Sequence, residues 1–114
     1  MLEDLTTTAL HSALDGLSQR QRTTADNISN IQTPGFLAGR VTFEDSLRAA
    51  LDDGDSPADI VATVARSLEP TREDGNNVNL DHEVISNVDT NLRYDLMLRA
   101  YDDRFGLLRT VIRG

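Results

Sequence analysis

Mostly apolar residues recur at alternating spacings of four and three in two stretches, one near each end of the chain. Such spacing keeps side chains on one face of an α-helix and is typical of helices that pack as coiled coils. The N-terminal set is Leu10, Leu14, Leu17, Gln21, Thr24, Ile28 and Ile31. The C-terminal set is Leu80, Val84, Asn87, Asn91, Tyr94, Leu98, Tyr101, Phe105, Leu108 and Ile112. The sequence therefore predicts a mainly α fold whose long N- and C-terminal heptad helices pair antiparallel as a coiled-coil hairpin.

Turn and capping residues set the predicted boundaries. Pro34 disfavours the α conformation at Thr33, so the first helix should end by about residue 32. The dipeptide Pro34-Gly35 favours a turn in which the glycine takes a positive φ. Asn79 is a predicted N-cap for the second helix. We predict three regions, listed here: an N-terminal helix over 1–32, a turn, extended segment, short helix and acidic loop over 33–79, and a C-terminal helix over 80–114.

The middle of the chain is predicted to be irregular and partly extended. Residues 36–43 should be extended, and Thr42 with Asp45 resembles a capping box that opens a short helix. One face of that helix would carry Phe43, Leu47, Ala50 and Leu51. Residues 58–70 fit either a pair of strands or a weak helix, and their pattern does not choose between the two. Residues 71–77 are polar and rich in turn residues, which predicts a loop or partial disorder.

Asparagines accompany both heptad patterns. Asn27 and Asn30 lie beside the first, and Asn87 and Asn91 lie within the second. An amide in an apolar seam lowers stability but fixes register and partner choice, because it must find a hydrogen-bonding partner. Asn30 has a second interpretation, in which its side chain caps the end of the helix.

Composition excludes several classes of function. The net charge is −8 and all 11 basic residues are arginines spread along the chain, which disfavours nucleic-acid binding. The absence of cysteine excludes disulfides and thiolate metal sites. His11 next to Ser12, and His82 within a consecutive acidic run, have the wrong spacing for a catalytic pair or metal site. We predict a non-enzymatic chain with no metal, cofactor or small-molecule substrate, and one that is not membrane-embedded.

The stretch ADNISNIQTPGF resembles the N-terminal signature of the flagellar rod, hook and hook-associated axial proteins. The matching positions are Ala25, Asn27, Ile28, Asn30, Thr33, Pro34, Gly35 and Phe36. The later segment GNNVNLD and the short length narrow the resemblance to subunits of the proximal rod. Its matching residues are Gly75, Asn76, Asn77, Val78, Leu80 and Asp81.

This resemblance implies a structural subunit that polymerises through its terminal axial helices into the helical tube of the flagellar basal-body rod. It also implies export by the flagellar type III system without a cleaved signal peptide, and a final location in the periplasmic rod. The implied partners are other rod proteins, further copies of the chain, the rod-base adapter and the export apparatus. A small cytoplasmic coiled-coil adaptor or export chaperone is the alternative.

The two heptads supply the residues that we predict to pack within and between subunits. They are Leu10, Leu14, Leu17, Ile28, Leu80, Val84, Tyr94, Leu98, Tyr101, Phe105, Leu108 and Ile112.

Overall fold

A computed structural model describes residues 2–54 and 56–113, apart from the side chains of residues 2–4, 105, 107–108 and 111–113. Its elements follow in the order α1 (Leu2–Ser29), β1 (Gly39–Thr42), α2 (Glu44–Asp53), β2 (Thr63–Arg66) and α3 (Leu80–Arg113). A single 3-10 turn, Pro57–Asp59, lies between α2 and β2. The molecule is elongated, with extents of 64 × 26 × 14 Å. Within the described residues, neither long helix is apolar enough to cross a membrane.

The two long helices, α1 and α3, lie side by side and run antiparallel. Gln21 of α1 donates a hydrogen bond to Asn91 of α3 at 2.7 Å. Six residues further along α1, Asn27 donates to Glu83, which lies eight residues earlier in α3, at 3.1 Å. The predicted helical hairpin with a partly extended middle is therefore confirmed.

The ends of the helices follow the predicted signals. The last residue of α1 is Ser29, and Gly35 in the following turn has φ +74°. Asn79 precedes α3 and its side-chain oxygen accepts a hydrogen bond from the backbone N–H of His82 at 3.1 Å, so Asn79 is the N-cap.

A small apolar core joins the middle of the chain to α1. Its buried members are Leu17, Val41 and Phe43, with Tyr94 and Met97 of α3 packed against them. The Phe43 ring lies directly over Gly16 of α1, where an added Cβ would come within 2.5 Å of the ring. Gly16, which looks from sequence like a weakness in the helix, is thus the site that admits the largest core side chain.

The predicted capping box at the start of α2 is wrong. Thr42 is the last residue of β1 and is paired with Thr63 of β2. Phe43 occupies the N-cap position, and no side-chain hydrogen bond caps the helix there. Burial of the Phe43 ring against α1 fixes the position of the chain at the start of α2. Core packing therefore overrides the local capping signal.

Residues 58–79 contain neither the pair of strands nor the helix that were the alternatives for residues 58–70. They contain one strand, β2, whose antiparallel partner is β1, with Gly39 opposite Arg66. The remainder is irregular apart from the end of the 3-10 turn and the turn at residues 73–74. A strand whose partner is distant in sequence has little recognisable pattern of its own, because the partner strand supplies its backbone hydrogen bonds.

An ion pair ties α1 to the start of α2. Both Nη atoms of Arg20 donate to the Glu44 carboxylate at 2.7 Å, and Nη2 also donates to the Val41 carbonyl at 2.7 Å. The hydrogen-bonded Arg20 guanidinium holds the pKa of Glu44 below its ordinary value.

The lowered pKa of Glu44 predicts an acid-dependent loss of stability. The folded state favours ionised Glu44, so this contribution is complete above the ordinary pKa of 4.5 and is lost as pH falls through the lowered value. Glu44→Gln should reduce the acid-induced fall in the free energy of unfolding, whereas Asp45→Asn, at an exposed neighbour, should not. Urea titrations followed by circular dichroism over a pH series provide the measurement, and equal pH profiles for both variants would contradict the prediction.

Gly16→Ala should destabilise the protein although alanine favours helices. The new methyl group overlaps the Phe43 ring, and overpacking typically costs about 1–3 kcal/mol, more than the helix-propensity gain of about 1 kcal/mol. Gly106→Ala is the matched control, because an added Cβ there meets nothing within 4 Å. Urea unfolding should rank the control above the parent and Gly16→Ala below it; a stabilised Gly16→Ala protein would refute the packing role.

Candidate functional site

The chain turns outward after α1 at a corner made of residues 30–38, and residues 72–78 lie directly against it. Gly35 N–H donates to the Asp74 carbonyl at 2.8 Å, and Asn77 N–H donates to the Phe36 carbonyl at 3.2 Å. Gly75 has φ +83°, and a Cβ on it would lie 3.2 Å from the Cα of Gly35. Positive φ and close approach of two backbones both favour glycine. The two sequence motifs therefore meet at one site.

The side chain of Asn76 hydrogen-bonds to the backbone just after the C-terminal end of α1. Its side-chain N–H2 donates to the carbonyls of Asn30 at 2.8 Å and Thr33 at 2.9 Å, and its oxygen accepts from Val78 N–H at 2.7 Å. Carbonyls at a helix C-terminus and in the following turn lack intrahelical donors. The buried amide of Asn76, 46 and 43 residues further along the chain, donates to two of them here.

Asn77 ties the corner to the segment that follows β2. Its side-chain oxygen accepts from Ala38 N–H at 2.7 Å, and its N–H2 donates to the carbonyls of Ser67 at 3.2 Å and Glu69 at 3.1 Å. Asn76 and Asn77, named here the latch asparagines, make five side-chain hydrogen bonds to backbone atoms outside their own segment. They fix how the chain approaches α3.

Asn27 performs the same task for β1. Its oxygen accepts from Gly39 N–H at 2.8 Å, and its N–H2 donates to the Gly39 carbonyl at 3.0 Å. A side-chain amide carries the same donor and acceptor as a peptide group, so Asn27 replaces the strand that β1 lacks on the side of α1. The residue is 1% exposed, which makes both bonds necessary.

Glu83 brings a buried negative charge to this point. Its carboxylate accepts from Asn27 and, at 2.7 Å, from Nη1 of Arg40, and the residue is 1% exposed. Glu83 also lies in the first turn of α3, where the helix dipole favours an anion. A buried carboxylate is tolerated only when it is paired and hydrogen-bonded. Asn27, Arg40 and Glu83 thus join α1, β1 and α3 at one polar centre.

The face of α3 turned toward α1 contains the predicted residues Asn91 and Tyr94 together with residues one position before other predicted ones. Glu83 and Thr90 are each 1% exposed, and Met97 packs on the core. The predicted neighbours Val84 and Leu98 are 48% and 40% exposed. Two rows of residues on α3 that are shifted by one position have the same heptad spacing. The hydrogen bonds of the polar centre, rather than apolar character, determine which row faces α1.

The structure divides the predicted packing residues into three groups. Leu17 is buried, and the half-buried members are Leu10, Leu14, Ile28, Tyr94 and Tyr101. The exposed members are Leu80, Val84 and Leu98. The side chains of Phe105, Leu108 and Ile112 lie outside the described residues.

The motif residues separate in the same way. The buried ones are Asn27, Asn76, Asn77 and Val78, and the half-buried ones are Ile28, Asn30, Phe36 and Gly75. The exposed ones are Ala25, Thr33, Pro34, Gly35, Leu80 and Asp81. Asn30 donates to the Asp26 carbonyl at 2.8 Å and accepts from Thr33 at 3.0 Å. Within the chain, it therefore acts as the helix-end cap of the two interpretations.

Sequence reasoning missed three charged residues of the site. Glu83 and Arg40 are partners 43 positions apart, so neither carries a local sign of burial. Arg72 donates to the carbonyls of Ile31 and Val78, both at 2.7 Å, and so supports the latch asparagines. Proximity to the GNNVNLD segment was a signal for Arg72 and Glu83, and Arg40 carried no comparable signal.

Asn27→Asp should strongly destabilise the fold. The change removes the donor to the Gly39 carbonyl and sets a second carboxylate against Glu83, for which we expect a loss of about 2–4 kcal/mol. Asn91→Asp is the matched control, because Asn91 is exposed and only accepts from Gln21. Urea unfolding measures both; similar losses at the two positions would contradict the role of Asn27.

Comparison with known proteins agrees with this geometry. A family model described as "Flagella basal body rod protein" matches residues 9–36, which contain most of α1 and the Pro-Gly turn. The flagellar basal body rod protein FlgB of Borrelia hermsii is 31% identical, covering 90% of this chain and 92% of the relative. The FlgB protein of Bacillus subtilis is 28% identical over 92% of this chain and 91% of the relative. The FlgB protein of Escherichia coli is 28% identical, covering 90% of this chain and 88% of the relative.

The similarity to these relatives extends over both long helices and the middle of the chain. This similarity favours a rod protein over the alternative of a small coiled-coil adaptor. The chain belongs to the FlgB family of flagellar basal body rod proteins, and its function is structural rather than enzymatic.

Proposed function

We propose that the chain polymerises through α1 and α3 into the helical tube of the proximal rod, with the middle segment holding the two helices at a set spacing. The observation that carries the proposal is the placement of apolar side chains on α3. Leu80, Val84, Val88, Leu92 and Leu96 are between 48% and 65% exposed. The face of α3 against α1 instead contains buried Glu83 and Thr90.

A helix with apolar residues on its solvent side exposes surface that association would cover. Leucine and valine side chains each gain about 1.5–3 kcal/mol when moved fully out of water. The fold of a single chain leaves that gain unused along α3, whereas a neighbouring axial helix would realise it. Assembly into a tube of subunits supplies such a neighbour for every copy.

The three predicted regions correspond to separate tasks in this proposal. Residues 1–32 and 80–114 supply the axial helices, and residues 33–79 supply the latch asparagines and the sheet. The neighbours are other rod proteins and further copies of the chain, with the rod-base adapter and the export apparatus as partners at the membrane end. Export through the flagellar type III channel would place the subunit in the periplasmic rod.

Leu98→Asp tests the proposal. The substitution puts a charge on an exposed apolar position of α3, so the isolated chain should keep its helical signal while rod assembly and swimming are lost. Leu68→Asp is the control, because Leu68 is 94% exposed and lies off both helices. Motility on soft agar, recovery of basal bodies and an assay of export separate assembly from secretion. Normal swimming by the Leu98→Asp strain would reject assembly through α3.

A further inference from the structure

The two edges of the small sheet differ in what covers them. On the edge of β1 that faces α1, the side chain of Asn27 hydrogen-bonds to both backbone groups of Gly39. On the same edge, Arg20 donates to the Val41 carbonyl. The outer edge of β2 is exposed along its whole length, and β1 is its one strand partner among the described residues. Side chains of α1 thus cover one edge of the sheet, and the other edge stays open.

The register identifies the backbone groups that point out of the open edge. Ser67 N–H donates to the Ala38 carbonyl at 2.8 Å, so this pair and every second pair along the ladder are hydrogen-bonded pairs. Val64 and Arg66 lie in the pairs between them, so their N–H and C=O groups point away from β1. These groups bond to nothing that the structure describes, and they form a donor and acceptor array for a further strand.

The strand itself carries little that would obstruct this edge. Proline, lysine and bulges commonly protect edge strands, and β2, with the sequence TVAR and a continuous register, has none of them. Arg66 is turned to its own chain, where it lies over the Phe36 ring and donates to the Leu37 carbonyl at 3.1 Å. Leu68, just beyond the strand, is 94% exposed. An open edge beside an exposed leucine is a surface to which an extended strand can add.

We propose that this edge pairs antiparallel with the same edge of a second copy, with the two-fold axis at Ala65. Val64 then lies opposite Arg66 of the second copy, and symmetry repeats the pair, with two backbone hydrogen bonds in each. The pairing converts two sheets of two strands into one sheet of four strands, a common size for a sheet in a folded protein. This inference does not depend on polymerisation through α1 and α3.

The side chains near the edge favour a second copy over an unrelated strand. When the register is continued past β2, Leu68 lies opposite Ala62 of the second copy and diagonal to its Val64. These three residues alternate onto one face of the strand, so each exposed leucine covers apolar surface of the other copy. The two Arg66 side chains are offset by two residues and each lies over its own Phe36, so they do not oppose each other.

Such a pair is closed, because it uses the open edge of both copies and leaves none for a third. A tube grows by repeating an open contact between different surfaces, so it has no place for the two-fold pair. The pair is therefore a form of the free subunit and withdraws chains from polymerisation. Its contact is smaller than that of a stable complex, so the dimer should be weak and concentration-dependent.

Single cysteines test the register, because the chain has no cysteine of its own. On the proposed axis, the two copies of Ala65 form a non-hydrogen-bonded pair with Cα atoms about 4.5 Å apart, within disulfide range. Ala65→Cys should therefore give a disulfide-linked dimer with oxidised glutathione. Thr63→Cys is the control, because Thr63 is exposed on the same face of β2 but its two copies would lie about 13 Å apart along the strands. It should give about tenfold less dimer, and equal yields from the two variants would overturn the register.

Two further substitutions test the contact without thiols. Val64→Pro removes an outward N–H, a position at which an edge strand tolerates proline, so the chain should keep its circular dichroism spectrum but not dimerise in sedimentation equilibrium. Leu68→Asp should raise the dimer dissociation constant about tenfold, because it removes the apolar contact across the axis. Leu98→Asp, which changes an exposed leucine of α3, is the matched control and should dimerise like the parent.

The outcomes separate this inference from the proposed function. A folded Val64→Pro protein that still dimerises would overturn the pairing, as would a parent protein that stays monomeric over roughly a hundredfold range of concentration. Loss of the dimer in Leu98→Asp but not in Leu68→Asp would place the contact on α3 and overturn it as well. A Leu98→Asp protein that dimerises but does not build rods would support both proposals independently.

Discussion

The backbone of Gly39 has to be hydrogen-bonded where it faces α1, and the side chain of Asn27 meets that requirement. β1 is four residues long and has one strand partner, so its second edge would be buried and unpaired without an amide from the helix. The same amide donates to Glu83, which brings α3 to the same point. Asn27 thus contacts both the sheet and α3 from α1 and joins the three elements at one point.

Polar contacts between the helices have an energetic consequence. A hydrogen bond in a folded protein contributes about 0.5–1.5 kcal/mol net, but leaving one buried group unpaired costs more than the bond contributes. The hydrogen bonds between α1 and α3 therefore favour one register of the two helices but add only modestly to the free energy of unfolding. Apolar area on α3 is left outside the hairpin, as at Val88 and Leu92. Such a division suits a subunit that completes its packing with neighbours.

The fold was largely predictable, and the site was predictable in part. Heptad spacing located both long helices, and Pro34, Gly35 and Asn79 marked their ends because their backbone chemistry acts within a few residues. The cap of α2 and the pairing of β2 were not predicted, since Phe43 is placed by contact with Gly16 and β2 by pairing with β1. The motif asparagines were identified by resemblance, but their hydrogen-bonding partners were not.

By itself, the sequence determined that the chain forms two long helices separated by a turn-rich middle, because helical periodicity and Pro-Gly chemistry are local properties. It also carried the family motif. Only the tertiary structure decided which face of α3 turns inward, because that choice depends on Asn27, Arg40 and Glu83 meeting across long stretches of chain. Their hydrogen bonds need a buried, shared location, and no pattern within either helix contains that information.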